Sequence, residues 1–346
     1  MELGCVLPFH STTDEAASNV YRRMLEYAKT ADRAGYSTIW IPEHSLIQFI
    51  PSPSSLLSAT FIGQHVSCRV GTAAVVLPYH RPLQLFGEIA AVDHALEGRL
   101  DLGVVRGAYK FEFDKFGIDF SESLPRFIET LEALEAVWAA GDKGASYHGK
   151  FVDFDNVSVW PRPHQQPHPP VWIGAQTPPS VEDAAARGYN VMNSLFFGDE
   201  DHARLIVDKF FEGHRRNQTG ADSKIGLTRY AFAVEDKSDV EPILEELLRT
   251  WRISNQLHHD TQNADARGVI ASKPVPGEPT IEKIRETVLI GTREELLPKL
   301  SFYKQLGINS LNLNQSFGAV PVDMAIKSIG IFSDLLAEVE AGRTSI

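Results

Sequence analysis

Polar residues of distinct chemical kinds stand directly behind short apolar runs in this chain. Glu43, His44 and Ser45 follow the run 38–41, Arg106 and Tyr109 follow 100–105, and Gln176, Thr177 and Ser180 follow 171–175. An imidazole titrates near neutrality, so His44 beside the Glu43 carboxylate is equipped to give or take a proton. Arg106 offers a guanidinium that can hold a phosphate through two hydrogen bonds. The helix opened by Pro178, Pro179 and Ser180 brings backbone N–H groups and the positive end of a dipole, with the Thr177 and Ser180 hydroxyls as further donors. His10 behind the first run, Ala73 and Ala74 inside the third, and Ser194 behind the sixth complete a set of candidates concentrated at strand ends.

Such groups need a scaffold that gathers the ends of many strands. Apolar runs at 3–8, 38–41, 70–77, 100–105, 171–175, 190–193, 227–234 and 310–314 alternate with amphipathic stretches, so the pattern is β then α repeated eight times. Repeated βα units demand a parallel sheet. Eight of them across 346 residues, with no shift of composition, predict one (β/α)8 barrel domain over 1–346 rather than a doubly wound sheet. Two insertions interrupt the rhythm. Residues 147–170 read as a hairpin followed by a Pro-rich tether after the fourth strand. Residues 258–283 read as a long loop before the eighth, ahead of a helix at 293–306.

Composition removes several classes of function. With 33 Lys+Arg against 45 Asp+Glu the net charge is −12, which leaves no electrostatic footprint for nucleic acid. No stretch is long and apolar enough for a membrane span and the first residues do not read as a signal peptide, so a cytoplasmic protein is expected. Cys5 and Cys68 lack metal spacing and make no disulfide framework. A metal hydrolase would need a His-x-His pair after the first strand, where only Phe9 and His10 stand, and His258, His259 and Asp260 fall in the inserted loop. No Gly-x-Gly-x-x-Gly follows a strand, so no nicotinamide site is visible.

Glu43-His44, the stretch 70–78, Gly98-Arg99 leading to 103–109, and 116–119 together resemble the bacterial luciferase family of flavin-dependent monooxygenases. The resemblance implies a barrel that binds reduced FMN as a diffusible cosubstrate, reacts it with O2 to a flavin C4a-peroxide, and oxygenates a small hydrophobic or heteroaromatic substrate. It implies His44 as catalytic acid/base next to Glu43. It further implies a non-proline cis peptide at Ala73-Ala74 against the flavin, with Arg106, Gln176, Thr177, Ser180 and Ser194 around the cofactor. Phe9, His10, Tyr109, Leu195, Phe196 and Trp251 are the expected substrate wall, and the loop 258–283, with Gly268 and Gly277 as hinges, the expected lid. A separate NAD(P)H-dependent flavin reductase and a homodimer meeting near His80 and Glu88 are the expected partners. The chain departs from the family pattern at Gln176 (an acid there), Leu124 (a second phosphate arginine, with Arg126 two positions on), Ser45 (a histidine) and Val105 (a reactive cysteine). An F420-dependent oxidoreductase of the same fold and a non-catalytic flavin-binding subunit are the alternatives.

Overall fold

The computed structural model describes residues 1–12, 15–259 and 268–342. The chain runs through β1 (Glu2–Val6), α1 (Ala17–Arg33), β2 (Thr38–Ile41), α2 (Ser55–Gly63), β3 (Arg69–Thr72), its short continuation β4 (Val75–Val76), α3 (Pro82–Ala95) and β5 (Leu100–Val105). There follow α4 (Lys110–Phe116), α5 (Ser123–Ala140), the hairpin of β6 (Ala145–His148) and β7 (Asp153–Val157), β8 (Val171–Gly174), α6 (Pro178–Ala186), β9 (Asn190–Ser194) and α7 (Glu200–Arg216). The remainder holds β10 (Ile225–Ala233), α8 (Val240–His259), α9 (Ile281–Thr287), β11 (Leu289–Gly291), α10 (Arg293–Gln305), β12 (Ser310–Asn314) and α11 (Val322–Glu340). Pairing passes from β1 through β2, β3, β5, β8, β9, β10 and β12 back to β1, parallel throughout, so the ring has no free edge. This is the expected (β/α)8 barrel, and the predicted hairpin after the fourth barrel strand is antiparallel β6–β7.

The departures from expectation lie before β12. β10 is nine residues long and outruns its neighbours, and the short parallel strand β11, which periodicity missed, pairs with its last three residues. That pairing satisfies backbone groups that would otherwise be buried without partners. α8 continues to His259, past the expected start of the loop. Residues 260–267 of that loop lie outside the described residues. The part from 268 to 280 is tied down: Gly268 accepts from the Gln48 N–H (3.1 Å), Gln256 donates to Ala271 O (2.9 Å), and Arg252 grips Glu278 at 2.7 and 2.5 Å. Gly268, expected as a hinge, is thus a packed contact whose added Cβ would lie 2.5 Å from Leu46 O.

Strand alternation sends every second residue into the barrel. Trp40 from β2 and Trp172 from β8 meet there edge to face, with centroids 5.3 Å apart and planes at 77°. The Trp40 indole N–H donates to Asn312 Oδ1 at 3.0 Å and that of Trp172 to Asp101 at 3.3 Å, so neither buried donor is orphaned. Such large rings fit because facing positions are glycine. A Cβ on Gly71 would lie 2.2 Å from the Trp40 ring, and one on Gly4 2.8 Å from its nitrogen. Aliphatic side chains between the sheet and the helices form the larger core outside the ring.

Gly71→Ala should therefore force Trp40 off its seat and cost about 2–3 kcal/mol. Urea denaturation and near-ultraviolet circular dichroism check this, and an unchanged midpoint with an unchanged tryptophan band would refute it.

Candidate active site

Two chambers share one cleft across the C-terminal ends of the strands, of about 470 Å³ and about 420 Å³. His44, Ala73, Ala108 and Gln176 line both, so these residues mark the junction. The larger chamber reaches Arg106, Thr177 and Ser180, and the smaller is ringed by aromatic and hydroxyl side chains.

Glu43 and His44 follow Pro42 at the end of β2 and turn to different partners. The Glu43 carboxylate is buried and accepts from the Ser55 N–H (3.1 Å) and hydroxyl (3.0 Å), the Val76 N–H (3.1 Å) and the His80 Nε2 (2.8 Å). Burial alone would raise its pKa, but the bond and charge of His80 and the backbone donors outweigh it and hold the carboxyl below its usual range. Burial likewise works against a charge on His80, yet Glu43 prevails and raises its pKa. Glu43 thus clamps the N-terminus of α2, the strand β4 and His80 to the end of β2, and its oxygens are saturated. It is a structural anchor rather than the expected neighbour in proton transfer. His80 turns to this anchor, while Glu88 accepts from Gln84 on the exposed face of α3.

His44 pairs instead with Glu112, a residue the sequence reading did not single out. His44 Nδ1 lies 3.2 Å from Glu112 Oε2, and Glu112 Oε1 accepts the Ser45 N–H at 2.7 Å. Glu112 is 2% exposed and sits in the first turn of α4, where the helix dipole favours a negative charge. The pairing turns the Nδ1 edge of the His44 ring toward Glu112 and so orients the imidazole. The imidazole also stacks on Tyr109 (4.9 Å, 23°). The Tyr109 hydroxyl lies 3.4 Å from Ser254 Oγ on α8.

At the far end of the larger chamber Arg106 is exposed, lies 5.5 Å from the Phe120 ring, and forms no ion pair with the described residues. The N-terminus of α6 offers less than expected. Pro178 and Pro179 carry no N–H, and Thr177 and Ser180 close a capping box on each other, so the local backbone donors are occupied. What remains is the dipole and two hydroxyls that can turn outward. Leu124 lines the chamber, whereas Arg126 pairs with Glu122 at 2.9 Å and stacks over Phe151, so it does not replace the missing arginine. Gln176 Oε1 accepts the Ser194 N–H (3.2 Å), joining the ends of β8 and β9. The Ala73-Ala74 peptide is cis, and with Ala108, Gly174 and Ala175 it leaves a slot without bulky side chains.

Of the expected substrate wall, His10, Tyr109 and Phe196 line the smaller chamber. Phe9, at φ +54°, is instead buried against Tyr21, and Leu195 is packed in the core. Trp251 is also turned away: about 100° of helical rotation per residue separates it from Thr250, which lines the chamber together with Ser254. Phe49, Thr228, Tyr230 and Asn314 were missed. The polar positions at 310, 312 and 314 alternate with leucine, a visible signal for side chains aimed into a barrel. Burial, followed by Arg23 and His44, lowers the pKa of His10 to about 3, so its ring is neutral at physiological pH.

The luciferase-like monooxygenase family model matches residues 1–310, and the chain belongs to that family of oxidoreductases. It is 30% identical over 302 residues to the oxygenase component of flavin-dependent trigonelline monooxygenase from Acinetobacter baylyi, covering 85% of this chain and 82% of that one. Among solved structures, the oxygenating constituent of 3,6-diketocamphane monooxygenase from Pseudomonas putida, in complex with FMN, has a TM-score of 0.78 at 17% identity over 98% of both chains. An F420-dependent secondary alcohol dehydrogenase has a TM-score of 0.75 at 17% identity, again over 98% of both. These two structures speak for the fold.

The Glu43–His80 clamp has a pH signature. Glu43 is held below the usual carboxylate range, so its contribution is present above about pH 4.5 and fades as pH falls further. His80 is held above the usual imidazole value, so its contribution is full below about pH 6.5 and fades as pH rises through the raised pKa. Melting temperatures of the wild type and Glu43→Gln should differ most between about pH 5 and 6, with a gap that narrows without closing as pH rises through the raised His80 pKa; a gap that widens as pH rises would contradict the clamp.

Proposed function

We propose that this member of the luciferase-like monooxygenase family binds reduced FMN in the larger chamber and, with O2, oxygenates a small organic molecule held in the smaller one. The observation that carries the reading is Arg106: in a chain of net charge −12, this guanidinium stands without a carboxylate partner among the described residues, at one end of a slot of small side chains. The residues fit a flavin phosphate there, with Thr177, Ser180 and the dipole of α6 assisting Arg106, and the slot at Ala73, Ala74, Ala108 and Gly174 accepts a flat ring. Reduced flavin, when bound, supplies the electrons that let one oxygen atom pass to the substrate and the other leave as water.

The chain's own part is to position and to move protons. His44, oriented by Glu112 and Tyr109, stands where the two chambers meet. It takes or returns the proton that oxygen transfer displaces. Gln176 and Ser194 hold the rim between β8 and β9. Ser45 and Val105, in place of a histidine and a cysteine, speak against light emission as the outcome. Reduced flavin arrives by diffusion from a separate NAD(P)H-dependent reductase, a reading supported by the trigonelline relative's description as an oxygenase component. We also propose a cytoplasmic homodimer formed through α2 and α3, where Leu57 is 70% exposed and Phe61 and Leu83 are exposed beside it.

Arg106→Ala should weaken reduced FMN binding by about 10- to 150-fold, with the lower figure expected for an exposed site. Preferential quenching by F420 over FMN would instead favour the deazaflavin alternative. His44→Ala should keep flavin affinity and lose about 10²–10⁴ in product formation, and Glu112→Gln should move the pH profile as well as the rate. Single-turnover product measured by mass spectrometry decides; wild-type yield from His44→Ala would make that residue structural. Leu57→Asp should yield a monomer in sedimentation, and an unchanged mass would place the dimer contact elsewhere.

A further inference from the structure

The smaller chamber is lined by aromatic rings from four separate places in the fold: Phe49 after β2, Tyr109 ahead of α4, Phe196 after β9 and Tyr230 on β10. Flat walls of this kind favour a flat occupant. Among the described residues that line the chamber there is no lysine, arginine, aspartate or glutamate. A charged occupant would therefore meet no lysine, arginine or carboxylate to offset the hydration it loses.

Yet the chamber is far from inert. Four buried polar atoms of its lining residues have no hydrogen-bond partner: His10 Nδ1, Thr228 Oγ1, Thr250 Oγ1 and Asn314 Oδ1. All four residues are at least nine-tenths buried. Native structures rarely leave such groups unsatisfied, and a set of them around one cavity marks where a ligand supplies the missing partners. Asn314 Oδ1 is an acceptor only, so it calls for an N–H or O–H on the occupant. The two threonine hydroxyls can serve as donors or acceptors, and the neutral His10 ring likewise, according to its tautomer. β10 and β12 are adjacent strands, with Tyr230 opposite Asn314 and Thr228 opposite Asn312 in register. Two of the unsatisfied groups and one aromatic wall thus stand on one side of the chamber.

We infer that the smaller chamber selects an uncharged aromatic or heteroaromatic substrate that carries ring hydroxyl, carbonyl or amide groups, with Asn314 and Thr228 as the specificity-determining residues. This rests on the proposed function in assigning the other chamber to the flavin. A long aliphatic chain of equal volume would leave the Thr228 and Asn314 oxygens unpaired, and a site built to bond a polar group discriminates strongly against the analogue that lacks it.

Isothermal titration calorimetry on the flavin-free full-length protein tests this without turnover. The probes are 4-hydroxybenzamide and 2-hydroxypyridine, compared with toluene, decanal and benzoate. The polar aromatics should bind at least ~10-fold more tightly than any of the other three. Asn314→Leu and Thr228→Val should each lower that preference about tenfold, while Thr228→Ser, which keeps the hydroxyl, restores it. Decanal, toluene or benzoate binding as tightly as the polar aromatics would overturn the inference, as would absence of measurable binding by both polar aromatics or an unchanged preference in the two apolar variants. A parallel titration with reduced FMN separates the two claims. FMN binding with a preference for decanal removes the substrate class alone, and polar-aromatic binding without FMN binding removes the cofactor assignment alone.

Discussion

Eight parallel strands enclose a space just wide enough for side chains to fill it. Here the filling is two indoles, and the rest of the interior answers to that choice. Trp40 and Trp172 take the volume that branched aliphatic residues usually take in such barrels, which requires glycine at positions 4 and 71 and polar partners at Asn312 and Asp101. Packed with Met192, they form a floor beneath the cleft. Above that floor the same strands are free to carry small or polar residues, because the core no longer depends on them. Ala73, Gly174 and Ala175 open the slot, while Thr228 and Asn314 face the smaller chamber.

A second constraint operates at the rim, where two buried carboxylates divide the work between them. Glu43 takes four hydrogen bonds and binds together three segments that would otherwise meet only through loops. Glu112 accepts from one backbone group and meets one imidazole, which leaves the histidine held but not enclosed. Adjacent residues in the chain, Glu43 and His44, therefore belong to different networks. The turn after Pro42 is what separates them.

The architecture was legible because period-two and helical patterns depend only on local sequence, and all eight barrel strands were placed within a few residues. β11 was not legible, since a three-residue strand has too few positions to show a period, and it exists only because β10 is long. At the site, residues next to strand ends were found from their position alone. His10, His44, Tyr109, Gln176 and Phe196 all line the cleft. Glu112 escaped because its partner is 68 residues away and its own helix is a single short one. Trp251 was assigned by residue type, and the rotation of α8 placed Thr250 and Ser254 there instead. The prolines at 178 and 179 were in plain view, but their lack of N–H groups matters only once the capping of α6 is seen.

The two chambers also draw on different parts of the chain. Every described residue lining the larger one lies between positions 43 and 180, whereas the smaller one takes most of its own lining from 6–10, 49–50 and 192–314. Among the described residues, four line both chambers and form the seam. Mutation after residue 190 can therefore reshape the smaller chamber while leaving the lining around Arg106 in place. A barrel divided in this way can vary one chamber while keeping the other, and such divergence would be recorded in the sequence as faster change after residue 190 than at the positions that line the larger chamber.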